Sequence, residues 1–165
     1  MKLIYRNIIA LMALVALTVG FTACDADPEF DHPNNLISDM RIKANPTADG
    51  IAGVITEYNA DGEVVPADKV TLEAVKGGYG KIEFILSPAL EGSLNPERCY
   101  LSASLTFDEI VRPGLSGIKN VTNRDAQGVA QGIEITVTSG TGDVRRYQVI
   151  GYYEGQYQYI PEDNE

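Results

Sequence analysis

Side chains after Gly132 alternate strictly: Ile133, Ile135 and Val137 fall on one face, and Glu134, Thr136 and Thr138 on the other. A period of two residues is the signature of a β-strand with one buried face, since a helix would repeat its apolar positions every three to four residues. The same pattern recurs along the chain. Ile82, Phe84 and Leu86 alternate with Lys81 and Glu83 over 81–86. Over 100–107, Leu101, Ala103, Leu105 and Phe107 oppose Tyr100, Ser102, Ser104 and Thr106, and over 69–75, Val70, Leu72 and Ala74 oppose Thr71 and Glu73. Weaker alternation marks 37–43, 51–58, 116–121 and 144–153. About eight strands are expected by this pattern, and no stretch carries the apolar stripe and caps of an amphipathic helix.

Turn chemistry separates these segments at Asp61-Gly62, Gly77-Gly78, Pro113-Gly114 and Gly140-Thr141-Gly142. Glycine supplies the left-handed backbone that tight reversals need, and proline sets the turn's φ in advance. Short strands with turn signals every 8–12 residues predict an all-β domain, an immunoglobulin-like β-sandwich of about eight strands over residues 36–160. A small closed barrel is the alternative architecture. The chain has no Trp, so the Cys…Trp…Cys pattern of antibody domains is missing.

The first 23 residues follow different rules. Lys2 and Arg6 give a positive start, Ile8 to Val19 an uncharged apolar core, and small residues lead into Phe21-Thr22-Ala23-Cys24. This is the layout of a secretory signal. A clean apolar run of roughly 12–16 residues falls short of the ~20 that cross a bilayer as a helix. The tetrad ending in Cys24 resembles a bacterial lipobox, although Phe21 stands where Leu is usual. That resemblance implies a signal peptide over 1–23, cleavage before Cys24 and lipidation of its thiol. Taking 23 residues from 165 leaves 142, the size of one domain. A domain of that size buries about two thirds of its unfolded surface and folds without a disulfide or metal.

Removing Lys2 and Arg6 leaves 11 basic against 23 acidic residues, a formal charge of −12. Nucleic acid is excluded as a partner, because phosphate backbones are held by clustered Lys and Arg. Anionic headgroups would repel the domain too, so the membrane is held through the lipid on Cys24, each buried CH₂ contributing about 0.8 kcal/mol. With Cys24 lipidated, Cys99 has no intramolecular partner, and it reads as a small apolar residue at a strand start. Residues 25–35, with four acids and two prolines, read as a flexible tether after Cys24, and 161–165 as an acidic tail.

The lipobox-like tetrad, the acidic tether and the stretch Gly140 to Ile150, a turn followed by a Tyr-containing last strand, together resemble Bacteroidetes-type outer-membrane lipoproteins with a small immunoglobulin-like domain of unassigned function. That resemblance implies an outer-membrane location facing the cell surface. Several such lipoproteins are encoded with polysaccharide-uptake systems.

The residues offer little catalytic chemistry. His32 is the one histidine and lies in the tether, where a general base could not be held in reach of its target. Glu57 to Gly62, with Asp68 beyond, faintly echoes a calcium loop, yet Glu57 stands where Asp is expected and Pro66 interrupts it; a hairpin turn explains Asp61-Gly62 better. A glycosidase pair requires two carboxylates roughly 5–9.5 Å apart, and one small sandwich leaves little room for a deep cleft. Asn120-Val121-Thr122 matches the N-glycosylation triplet, which is coincidental in a bacterial lipoprotein. No metal or other cofactor is expected.

Tyrosine is the notable enrichment. Tyr147, Tyr152, Tyr153, Tyr157 and Tyr159, five of nine, fall in the last nineteen residues. A flat apolar ring with a polar tip suits sugar stacking and interface contacts, so these five are the candidate ligand-binding residues, against the plain alternative that tyrosines favour strands and pack on the core. The expected function is a lipid-anchored, non-enzymatic surface binding or accessory module for a polysaccharide or protein ligand. The alternative is a structural subunit of a surface filament or envelope complex, assembled by strand addition.

Overall fold

A computed structural model describes residues 32–106, 108–125 and 130–156. The expected signal peptide 1–23, Cys24, most of the expected tether, Phe107, Tyr157, Tyr159 and the expected tail 161–165 lie outside the described residues.

Among the described residues, nine strands form two sheets, and helix is limited to two 3₁₀ turns at Ala67–Lys69 and Pro88–Leu90. The smaller sheet has the order β2 (Ile51–Ala52), β1 (Asp39–Lys43), β6 (Tyr100–Ser104). The larger has the order β4 (Val64–Val65), β3 (Val54–Tyr58), β5 (Tyr79–Leu86), β9 (Val144–Tyr153), β8 (Ile133–Thr138), β7 (Ile110–Arg112). All pairings are antiparallel except β5 with β9, which run parallel from Tyr79↔Arg146 to Leu86↔Tyr153.

Alternation decides which faces meet. Met40 and Ile42 of the smaller sheet pack in one cluster with Ile82, Phe84, Leu86, Ile135, Val137, Tyr147 and Val149 of the larger. This is an all-β, two-layer arrangement with its core between the sheets. The strands expected over 81–86, 133–138 and 144–153 are present as β5, β8 and β9. Strand β6 stops at Ser104, short of the expected 107, and β4 and β7 are short additions.

Three segments differ from expectation. Residues 51–58 are not one strand: the chain leaves the smaller sheet after Ala52 and enters the larger at Val54. Gly53 makes the crossing, its N–H bonded to the Met40 carbonyl, where a Cβ would stand 2.8 Å from both Ile82 and Phe84. Residues 69–75 form a turn rather than a strand, because the Thr71 hydroxyl accepts the Ala74 N–H and the Thr71 carbonyl accepts the Val75 N–H. A local side-chain cap of this kind competes directly with sheet pairing. Residues 116–121 are held by a single bridge, Cys99↔Lys119, and by bonds from Val121 N to the Pro96 carbonyl and from Gly151 N to the Val121 carbonyl.

Candidate functional site

A cleft of about 820 Å³ opens beside the end of β9 and is lined by Tyr152, Tyr153, Asn95, Arg98, Asn123 and Arg124, among others. Its walls are set by short-range chemistry. Asn95 closes the 95–98 turn by accepting the Glu97 N–H at 2.8 Å. Asn120 does the same for the Thr122 N–H at 2.9 Å, so the side chain of the would-be glycosylation triplet is engaged in its own turn. Gly151 lets the 120–124 segment lie against β9, since a Cβ there would come 2.6 Å from Val121. The Tyr153 hydroxyl donates to the Leu94 carbonyl and ties the 88–98 loop to the strand. Burial, and then the charge of Glu91, push that phenol's pKa up, so it stays a neutral donor. Tyr152 reaches Glu83 at 3.4 Å. Among the described residues, the Arg98 guanidinium has neither hydrogen bond nor ion pair.

Two of the five expected tyrosines, Tyr152 and Tyr153, therefore line one cleft. Tyr157 and Tyr159 lie outside the described residues. Tyr147 has another role: it is fully buried between the sheets and offers no face to a ligand. Its hydroxyl donates to Glu57 Oε1 at 2.8 Å and accepts the Ile37 N–H at 3.1 Å. Burial, and then the nearby Glu57 carboxylate, raise its pKa well above the usual phenol value. Close packing enforces the ring's position, because a Cβ on Gly80 would stand 2.2 Å from it. Beside it Arg145 is also buried and donates to Glu57 Oε2 through both Nε and Nη2. The same guanidinium donates to the carbonyls of Val75, Tyr79 and Tyr58. Every donor and acceptor here faces a partner inside the protein, so the cluster is a structural brace. It also removes Glu57 from any calcium loop, and Asn59 Oδ1 accepts the Asp61 and Glu63 N–H groups within the β3–β4 hairpin instead. No cluster with metal-ligating composition occurs among the described residues.

Cys99 is buried, and its thiol is pushed up to about 11 by desolvation, against an opposing backbone hydrogen bond. A thiol so placed is a packed apolar residue.

The last part of the tether is docked, not free. Asp108 accepts both the His32 N–H at 3.2 Å and the His32 ring Nδ1 at 3.1 Å. Asn34 donates to Thr106 at 2.7 Å and to Glu109 at 2.9 Å. Burial pushes the Asp108 carboxyl up, but the His32 bonds and charge outweigh it and hold it below the ordinary value. A carboxyl depressed in the folded state adds stability above its unfolded pKa, and that contribution is lost as pH falls through the folded value. Acidification below about pH 3.9 should therefore release His32. Amide NMR should show the His32 N–H moving toward a solvent-exposed shift in that range, and Asp108→Asn should abolish the titration. A His32 N–H unmoved by acid would show that the carboxylate does not hold the strap.

Sequence patterning did not single out Arg98, Arg124, Asn95 or Asn123. Their one signal is position: polar side chains on loops between strands, the usual carriers of binding groups. Comparison with protein-family models, with curated proteins and with solved structures gives no match.

Proposed function

We propose that this chain is a lipid-anchored, non-enzymatic lipoprotein of the outer membrane, displayed at the cell surface through lipid on Cys24, with an immunoglobulin-like sandwich that binds a polysaccharide in the cleft beside β9. The observation that carries the reading is that Tyr152, Tyr153, several side-chain amides and the Arg98 guanidinium, unpaired among the described residues, line one open cavity of about 820 Å³. Flat rings take the C–H faces of sugars, while amides and guanidinium exchange hydrogen bonds with hydroxyls. Glu97 is the one carboxylate among the cleft's described lining residues, and hydrolysis of a glycosidic bond uses two. The β8–β9 hairpin closing on Gly140-Thr141-Gly142 supports the immunoglobulin-like assignment.

Assembly into a filament by strand addition is the second reading. Sheet edges β2, β4 and β7 are two or three residues long, and short edges resist added strands. Strand β6, with five residues, is the edge such an assembly would use.

The test is a glycan array probed with the full-length protein in detergent micelles. Tyr152→Ala and Arg98→Ala should each weaken the strongest neutral-glycan signal about tenfold, roughly 1.4 kcal/mol. Unchanged binding by both variants would remove the cleft from the mechanism. In cells, Cys24→Ala should abolish incorporation of labelled palmitate, and protease added to intact cells should shave the wild-type domain; protection until lysis would place it inside the envelope.

A further inference from the structure

Strand order brings together five residues far apart in the sequence. On the outward face of the larger sheet, Arg146 pairs with Tyr79 on one side and with Thr136 on the other, and Thr136 pairs with Arg112. Tyr79 stacks on Tyr58, ring centroids 4.5 Å apart and planes within 9°. Paired residues on neighbouring strands share a face, so Tyr58, Tyr79, Arg146, Thr136 and Arg112 form one row across five strands. At about 4.8 Å per strand the row spans roughly 19 Å.

Its electrostatics run against those of the chain. The protein carries 23 acidic and 13 basic residues, yet this row holds two guanidiniums and no carboxylate. Both arginines are exposed, and neither has a hydrogen bond or ion pair from its side chain among the described residues. Thr136 donates to the Arg112 carbonyl, leaving that guanidinium uncommitted. The nearest lysine on this face, Lys81, is already paired with Glu83 at 3.0 Å. A shallow groove of about 550 Å³ runs past Tyr79 and Arg146, bordered by Gln148, Gln131 and Glu134. On the opposite side, Val144 and Ile110 stand 61% and 53% exposed around Thr138.

We infer that this row is a second binding face, one that takes an anionic glycan carrying uronate carboxylates. Each part of such a chain finds its chemistry. A pyranose ring lies on the exposed Tyr79 face, which Tyr58 supports from behind. Guanidinium forks accept carboxylates in bidentate geometry. Arg146 and Arg112 stand two interstrand steps apart, about 9.6 Å, which suits carboxylates on alternate rings of a polymer. Gln148 and Glu134 meet hydroxyls, and Val144 gives a ledge for C–H faces. An acidic protein partner fits less well, because protein hot spots anchor in deep apolar pockets and this groove is shallow and polar. The row shares no residue with the cleft beside β9, so the two faces can succeed or fail separately.

The experiment titrates full-length protein in detergent micelles with polygalacturonate and with alginate, each alongside its fully esterified form. Wild-type protein should bind at least one of the acidic polymers and lose about tenfold or more on esterification. Arg146→Ala, Arg112→Ala and Tyr79→Ala should each lose about tenfold, and Arg146→Lys should lose part of that by keeping charge without the fork. Lys69→Ala, an exposed charge on the 3₁₀ turn at Ala67–Lys69, should bind as wild type, with all melting temperatures unchanged. The inference is overturned by failure to bind either acidic polymer, by equal binding of the esterified forms, by arginine variants that bind normally, or by polyglutamate binding as tightly as the uronates.

Discussion

Arg145→Ala should destabilise the protein by about 3–5 kcal/mol, the cost of removing one partner from a buried ion pair. Arg145 and Glu57 are 4% and 5% exposed, so water cannot replace what is lost. Glu57 Oε2 would lose both donors, and the carbonyls of Val75, Tyr79 and Tyr58 would lose theirs. These carbonyls belong to β3, to the start of β5 and to the 72–77 turn, so the substitution also loosens how these segments are held together. Urea unfolding followed by circular dichroism would read the loss as a lower midpoint. Tyr147→Phe should cost about 1–3 kcal/mol, since it leaves Glu57 Oε1 and the Ile37 N–H unsatisfied. The double variant should lose less than the sum, because both side chains serve the same carboxylate. A single-variant loss below about 1 kcal/mol for Arg145→Ala would mean that the brace is dispensable.

Phe84→Ala should also cost about 3–5 kcal/mol, by a different route: lost transfer energy plus a cavity that the two sheets cannot close. Phe84 is fully buried at the middle of β5, between Ile82 and Leu86 on the same inner face. Its ring edge fills the space that Gly53 leaves by lacking a Cβ, at the point where the chain passes from one sheet to the other. Phe84→Leu should lose distinctly less, as it retains most of the volume. Equal losses for the two variants would show that ring shape, not buried volume, is what the site requires. Calorimetric melting of both variants separates the cases.

Phe84 and Arg145 differ in how far the sequence alone reveals their roles. Phe84 is legible from alternation alone: Ile82, Phe84 and Leu86 can share a face only in a strand. The role of Arg145 is not legible that way. Its parity places a charge on the same face as Tyr147 and Val149, which signals an unusual site, but its partner Glu57 lies 88 residues away in the chain. Tyr147 misled for a related reason. Aromatic composition is the same for a ligand platform and for a packed core, and only burial distinguishes them. The 69–75 segment misled because alternation there competes with a Thr71 cap, a local bond that periodicity does not weigh.

From the sequence alone come the all-β character, the positions of β5, β8 and β9, their inward faces and the reversals between them. All of these follow from a two-residue period and from glycine and proline chemistry, both properties of neighbouring residues. Tertiary structure decided the sheet change at Gly53, the parallel pairing of β5 with β9, the docking of His32 on Asp108, and the assembly of the cleft and of the Tyr58–Tyr79–Arg146–Thr136–Arg112 row. Each of these depends on strand order, and strand order is set by how whole sheets bury their apolar faces against one another, a property that no local window of sequence contains.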